Sequence, residues 1–268
     1  TIGTDGLSTG DGNIFGGGRD FFNTNNTNGR VEGNVTITMD GGSIQGSIFG
    51  GGRMALTGVD EDGNFPTTSW TVADHGNVTI NVSGTTSGSD NNITYNTVIG
   101  NGSDQGIHLL TGSDESVGDI FGSGKGDTQN YDDILAGCVT NTTINITGSP
   151  RIHGAVFGGG EMASIGWLDS DNNIIDGTGE ATIKIGDSED DKPVIGTYLE
   201  LNHDYLDGSI TINGHDYPRS PWTIIETEGG VERLVHTCTG NVFGGCQGDV
   251  DFEDWDDEVS STWNNWPC

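Results

Sequence analysis

Positive charge is scarce in this chain. Nine lysines and arginines stand against forty aspartates and glutamates, a formal net charge of −31 over 268 residues. A surface of that sign repels phosphate backbones and anionic headgroups, so nucleic acid and acidic membranes are not expected as partners. Hydrophobic residues are few as well, at 31%, which is low for a globule but suits a long, thin core. No stretch has apolar residues at helical spacing, and none is long enough to span a bilayer, so neither a helical bundle nor membrane insertion is expected. A signal-peptide pattern is also missing. The chain opens at Thr1, near the middle of a repeat, and is read as a mature or excised piece of a secreted or cell-surface protein.

Recognisable catalytic signatures are equally scarce. There is no nucleophile elbow, and the glycine runs lack the Lys-Ser/Thr that a phosphate cradle requires. Adjacent acids occur at Asp132-Asp133 and Asp190-Asp191, but the six histidines are scattered without partner spacing. A polysaccharide hydrolase would gather acidic residues on one sheet face, and a lyase would need a basic cleft. Neither pattern is visible, and the chain is not expected to be an enzyme. Four cysteines, Cys138, Cys238, Cys246 and Cys268, allow three pairings. Disulfides are the expected state outside the cell, and Cys238 and Cys246 flank a corner where a staple would fit. His236 lies near, but no Cys-x-x-Cys spacing supports zinc.

What the chain does contain is one phrase written five times: Gly12-Asn-Ile-Phe-Gly-Gly-Gly18, Gly46-Ser-Ile-Phe-Gly-Gly-Gly52, Gly118-Asp-Ile-Phe-Gly-Ser-Gly124, Gly154-Ala-Val-Phe-Gly-Gly-Gly160 and Gly240-Asn-Val-Phe-Gly-Gly-Cys246. Its phenylalanines, Phe15, Phe49, Phe121, Phe157 and Phe243, are separated by 34, 72, 36 and 86 residues. Because 72 is twice 36, a degenerate copy is expected near Val98-Ile99-Gly100, and Val194-Ile195-Gly196 would fill the last gap. A period of this size is the mark of a repeat architecture.

A second phrase alternates with the first: Asn34-Val-Thr-Ile-Thr-Met39, Asn77-Val-Thr-Ile-Asn-Val82, Thr142-Thr-Ile-Asn-Ile146, Ala181-Thr-Ile-Lys-Ile185 and Ser209-Ile-Thr-Ile-Asn213. Apolar and polar residues alternate, so each is a strand with one buried face, with Val35, Ile37 and Met39 inward and Thr36 and Thr38 outward. Stacked copies would bury what a single copy cannot, with the Ile-Phe pairs as an inward ladder. The glycines after Phe suit either positive φ or close approach of neighbouring layers. The expected fold is all-β, a parallel β-helix or β-solenoid with long loop insertions and a C-terminal cap. A propeller or stacked sandwich is the rival. The solenoid body would span 1–248, followed by a cap or subunit-contact tail at 249–268.

From about Gly12 to Gly248 the chain resembles large bacterial and archaeal surface and adhesin-like proteins that carry Gly-x-[Ile/Val]-[Phe/Tyr]-Gly-Gly-Gly repeats between Thr-rich strands. The resemblance implies a parallel β-helix and specifies no activity.

Two acidic insertions are candidate calcium loops. One holds Asp60 and Asp62; the other runs from Asp169 through Asp171 and Asn173 to Glu180, with oxygen ligands at loop positions 1, 3, 5 and 12. Ile174 stands where such a loop needs glycine, and a hairpin with Asp and Asn at its tip accounts for the same residues. The tail at 249–258 has seven carboxylates in ten residues, interleaved with Phe252 and Trp255. Its readings are an end cap and a cation site. Trp70, Trp167 and Trp222 lie in insertions and are candidate glycan contacts, although loop aromatics also serve as packing. Asn-x-Thr/Ser triplets, Asn34, Asn77, Asn81, Asn141 and Asn145 among them, are glycosylation acceptors only where the source has that machinery. Threonine arrays suit ice binding only when flat and regular, and unequal insertions break the rhythm here. The functional expectation is an extracellular structural or adhesin-like β-solenoid that self-associates into a fibre or surface layer, with calcium as the one cofactor indicated. A carbohydrate-binding adhesin module, with surface glycans as partner, is the alternative.

Overall fold

The computed structural model describes residues 1–3, 12–20, 28–65, 71–89, 92–100, 107–108, 118–126, 136–169, 171, 173–196, 209–212, 215–218, 223–228, 231–237 and 240–246. Among these the protein is all-β, and its one helical element is a short 3₁₀ turn, Val72–Asp74. No helix among them is long and apolar enough to cross a membrane.

Three parallel sheets carry the core. The long, threonine-bearing strands Val35–Met39, Asn77–Gly84, Asn141–Gly148 and Ala181–Ile185 pair in that order in the first. Short strands Gly42–Ile44, Thr97–Ile99, Arg151–Ile152 and Val194–Ile195 form the second. The third joins Ile14–Phe15, Ile48–Phe49, Ile120–Phe121, Val156–Phe157 and Val242–Phe243. The chain passes from first to second to third sheet and then begins the next layer. The second sheet is a strand that repeat reading alone did not separate.

Register corrects the expected layer count. Ile48 and Phe49 pair directly with Ile120 and Phe121, so no layer lies between them in this sheet. Val98-Ile99 instead pairs with Ser43-Ile44 and Arg151-Ile152, and Val194-Ile195 pairs with Arg151-Ile152. They are second-sheet strands, not degenerate copies of the Phe phrase. The 72-residue gap therefore contains one layer plus inserted chain.

The alternation expected for the first sheet is present. Val35, Val78, Ile80, Val82, Ile144 and Ile146 are buried, and Thr36 and Thr38 face out. In the third sheet the five rings stack at 4.7, 4.9, 4.9 and 5.0 Å, tilted by no more than 14°. That spacing is the distance between hydrogen-bonded strands, about 4.8 Å. Pairing in register therefore imposes face-to-face rings, where free aromatic pairs prefer offset or edge-on contact.

The glycine after each of the first four phenylalanines is required by close approach, not by φ, whereas Gly244, after Phe243, has open space at its Cβ. A Cβ on Gly50 would overlap the carbonyl oxygen of Gly122 in the next layer and the Val78 side chain. Positive φ is used elsewhere, where insertions leave and rejoin the body. Gly58 and Gly76, at φ 102° and 70°, are packed so that a Cβ on the first would sit 2.7 Å from the second's Cα. The same paired stem closes the insertions at Gly100/Gly118 and Gly166/Gly179.

Polar side chains also bond from layer to layer. The variable residue of the Phe phrase accepts or donates across the sheet: Ser47 N donates to Asn13 Oδ1 at 2.7 Å, Asp119 N to Ser47 Oγ at 3.0 Å, and Ala155 N to Asp119 Oδ1 at 2.6 Å. Four residues beyond each phenylalanine, Arg19, Arg53, Lys125 and Glu161 form a ladder of single bridges. Lys125 and Glu161 are buried there and pair at 2.9 Å, with the ammonium 5.9 Å from the centre of the Phe49 ring. Truncating Lys125 would leave the buried Glu161 carboxylate without its counter-charge.

Changing Phe121 to Ala should cost about 3–5 kcal/mol, the range for deleting a buried aromatic ring. Gly122→Ala should also destabilise, because its Cβ would strike the Gly158 carbonyl. Gly33→Ala, with open space at its Cβ, should be near neutral. Urea unfolding of the three variants checks the order.

Candidate functional site

Both candidate calcium loops are hairpin tips of one design. Asp60 Oδ1 accepts the backbone N–H groups of Asp62 and Asn64 at 3.0 and 2.9 Å. Asp169 Oδ1 accepts those of Asp171 and Asn173, each at 2.9 Å. These bonds, Asn173 first, hold the Asp169 carboxyl below its ordinary range. Glu180 stands apart, beyond the Gly166/Gly179 stem, and its N–H donates to Asn141 Oδ1 at 2.8 Å. No group of three or more acidic, histidine or cysteine residues gathers as a metal site among the described residues.

Trp167 does not offer a face to a sugar. It is 3% exposed and belongs to a cluster with Leu56, Val59 and Cys138, with Phe65 and Ile175 packed against it. Its ring lies 5.7 Å from Phe65 at 15°, and its Nε1–H donates to Thr140 Oγ1 at 2.9 Å. Glycan contact at Trp167 is therefore replaced by packing: the ring glues one insertion to the next. Thr140 stands where neighbouring layers carry the paired-glycine stems, which frees its hydroxyl for the indole. Trp70 and Trp222 lie outside the described residues, as does the tail at 249–268.

Cys138 and Cys246 are free thiols in the structure. Cys138 is fully buried, donates to the Gly166 carbonyl at 3.1 Å, and is pushed far above the usual thiol range by that burial. Cys246 lies close enough to push that thiol up further, yet among the described residues the two sulfurs are not joined, so the disulfide expected at Cys138 is not present between them. Cys238 and Cys268 lie outside the described residues.

The outer face of the first sheet holds what sequence reading missed. Asn34, Asn77 and Asn141 stack as an amide ladder: Asn77 Nδ2 donates to Asn34 Oδ1 at 3.1 Å, and Asn141 Nδ2 to Asn77 Oδ1 at 3.0 Å. Four residues along, Asn145 Nδ2 donates to Asn81 Oδ1 at 2.9 Å. The recurrence of Asn at one strand position was the available signal. Asn77 and Asn141 each donate more than once through Nδ2, so a glycan there would replace an N–H already in use, which argues against modification at those two.

The second ladder opens into a shallow groove of about 440 Å³, lined by Asn81, Ser83, Asn145, Thr147, Lys184 and Asp187. Lys184 occupies the register position of Asn145 in the next strand. Asp187 begins a pinned turn: its N–H donates to Asp191 Oδ2 at 2.8 Å, Ser188 Oγ donates to Asp191 Oδ1 at 3.0 Å, and Lys192 N–H to the Gly148 carbonyl at 2.9 Å. Hydrogen bonding to Asp191 raises the Asp187 carboxyl, while the Asp187 N–H holds Asp191 down at about 2. No protein group among the described residues bonds Asn81 Nδ2, Asn145 Oδ1 or Lys184 Nζ.

No protein-family model, curated protein or solved structure matches this chain.

Two expectations can be measured. Asp169→Ala should lower the melting temperature by the same small amount with 1 mM calcium (about 2 °C or less for an exposed turn) as with a chelator. A drop that appears only with calcium would make the loop a cation site. His153, beside Gly100 and Gly118, is lowered to about 4 by burial first and Arg151 second. Its contribution is full above the unfolded value of about 6.5 and is lost as pH falls toward 4, because the unfolded chain takes the proton first. His153→Gln should therefore gain stability relative to the parent between pH 6.5 and 4, read by urea unfolding at pH 7 and pH 5.

Proposed function

We propose that the chain is an extracellular structural or adhesin-like β-solenoid, a parallel β-helix, that builds a fibre or surface layer by end-to-end association. The solenoid reading is supported by the order in which each layer visits the three sheets and by the unbroken register of the Phe ladder. Association is supported by one observation. Phe49, Phe121 and Phe157 are stacked on both faces and are at most 1% exposed. Phe15 and Phe243, at the two ends of the ladder, are each stacked on one face among the described residues and only half-buried.

A second copy that places its Phe15 over Phe243 repeats a contact the body already makes four times. A heterologous contact of this kind does not close on itself and grows into a filament. The strands that edge the first sheet, Val35–Met39 and Ala181–Ile185, present backbone donors and acceptors for the same purpose. The strong negative charge keeps lateral clumping down while leaving the axial contact intact. Such a role suits a surface-exposed location.

Electron microscopy of the native protein tests this. Filaments should appear with an axial rise of about 24 Å per copy, five layers of about 4.8 Å each. Phe15→Asp should abolish them while leaving the fold intact by circular dichroism. Separate particles at high protein concentration, with no filament under any salt condition, would overturn the reading.

A further inference from the structure

We infer that the groove on the outer face of the first sheet binds a neutral, hydroxyl-rich saccharide chain. The inference does not rest on end-to-end association: the groove lies on the outward side-chain face of the first sheet, and its edge strand Ala181–Ile185, which carries Lys184, would meet a neighbouring copy through backbone groups only.

Thr38, Asn81, Asn145 and Lys184 occupy one position in four successive strands. The Asn81–Asn145 amide bond fixes both planar groups edge to edge. It leaves one amide with donor capacity and the other with acceptor capacity, side by side and half-buried. Ser83 and Thr147, paired in register two residues further along, add hydroxyls that both donate and accept. A vicinal diol offers the matching pattern, since each hydroxyl gives one hydrogen bond and takes another.

Charge selects among hydroxylated ligands. Lys184 and Asp187 bring opposite signs into the groove, so it is close to neutral on a chain carrying −31. An acidic polymer must cross the field of the whole surface and gains one ammonium with a carboxylate beside it. A neutral polymer meets no such barrier, and both charged groups can bond its hydroxyls. Bonds to charged groups contribute more than neutral ones.

The groove has no aromatic lining, so stacking on a sugar ring contributes nothing and orientation rests on hydrogen bonds. A single site is then weak. A filament would repeat it at every copy, and multivalency raises avidity without any new contact.

The test is titration calorimetry on monodisperse protein with four probes: the neutral hexaoses of β-1,4-glucose, β-1,4-mannose and α-1,4-glucose, and hexagalacturonate. At least one neutral hexaose should bind with a dissociation constant below about 1 mM. Lys184→Met should weaken it about tenfold or more and Asn145→Ala about fivefold, the losses expected for a charged and a neutral hydrogen bond. Both variants must keep the parent's melting curve; Thr147→Val serves as a further groove substitution if Asn145→Ala does not. Thr36→Val, on the same face at the far edge, should change nothing. No binding of any neutral hexaose at about 10 mM, or binding unchanged by the groove variants, overturns the site. Preferential binding of hexagalacturonate overturns the choice of a neutral ligand. Loss of filaments has no bearing on these outcomes, and loss of sugar binding has none on filaments.

Discussion

One spacing governs this molecule: the distance between hydrogen-bonded strands. Each layer must lie about 4.8 Å from the last, and the side chains found at equivalent positions are those that tolerate that separation. Phenylalanine rings do so face to face, at 4.7 to 5.0 Å. Asparagine amides do so as donor–acceptor chains, at 2.9 to 3.1 Å. Glycine does so where backbone from the next layer fills the room that a Cβ would occupy, as at Gly50 and Gly122. The three recurring features of the sequence are three answers to one distance.

Charge obeys the same rule with a different result. Arg19, Arg53 and Lys125 would stack like on like, and Glu161 ends the run with opposite sign. Lys125 is buried and pairs with that carboxylate at 2.9 Å. Among the described residues most other acidic side chains are exposed, where water screens them. Asp119 is an exception: it is buried and spends an oxygen on the N–H of Ala155 in the next layer.

The insertions answer to a separate constraint. A layered body can carry extra chain only if it leaves and returns at one point without opening the ladder, and paired glycines at positive φ make that point narrow. Outside the body, two of the insertions pack on each other through Phe65 and Trp167. On the outer face of the first sheet the regular strands hold amides, hydroxyls and one ammonium in fixed order.

Much of the core was legible from the sequence. Period-two alternation identified the inward Val35, Ile37 and Met39, and the recurrence of Ile-Phe identified the stacked ring ladder, because both patterns are local and independent of how layers meet. Layer count was not legible. Chain length between Phe49 and Phe121 cannot distinguish an added layer from an excursion, since a glycine stem returns the chain to its starting point whatever the length between. Trp167 read as an exposed loop aromatic because its insertion is polar; burial came from a neighbouring insertion more than a hundred residues earlier in the chain, at Phe65. The groove was likewise invisible, because Asn81, Asn145 and Lys184 become neighbours only across strands. The sequence by itself determined which side chains repeat and which face of each strand is apolar. Tertiary structure alone decided which repeats are adjacent, since adjacency is set by hydrogen bonding between layers, and separation along the chain does not encode it.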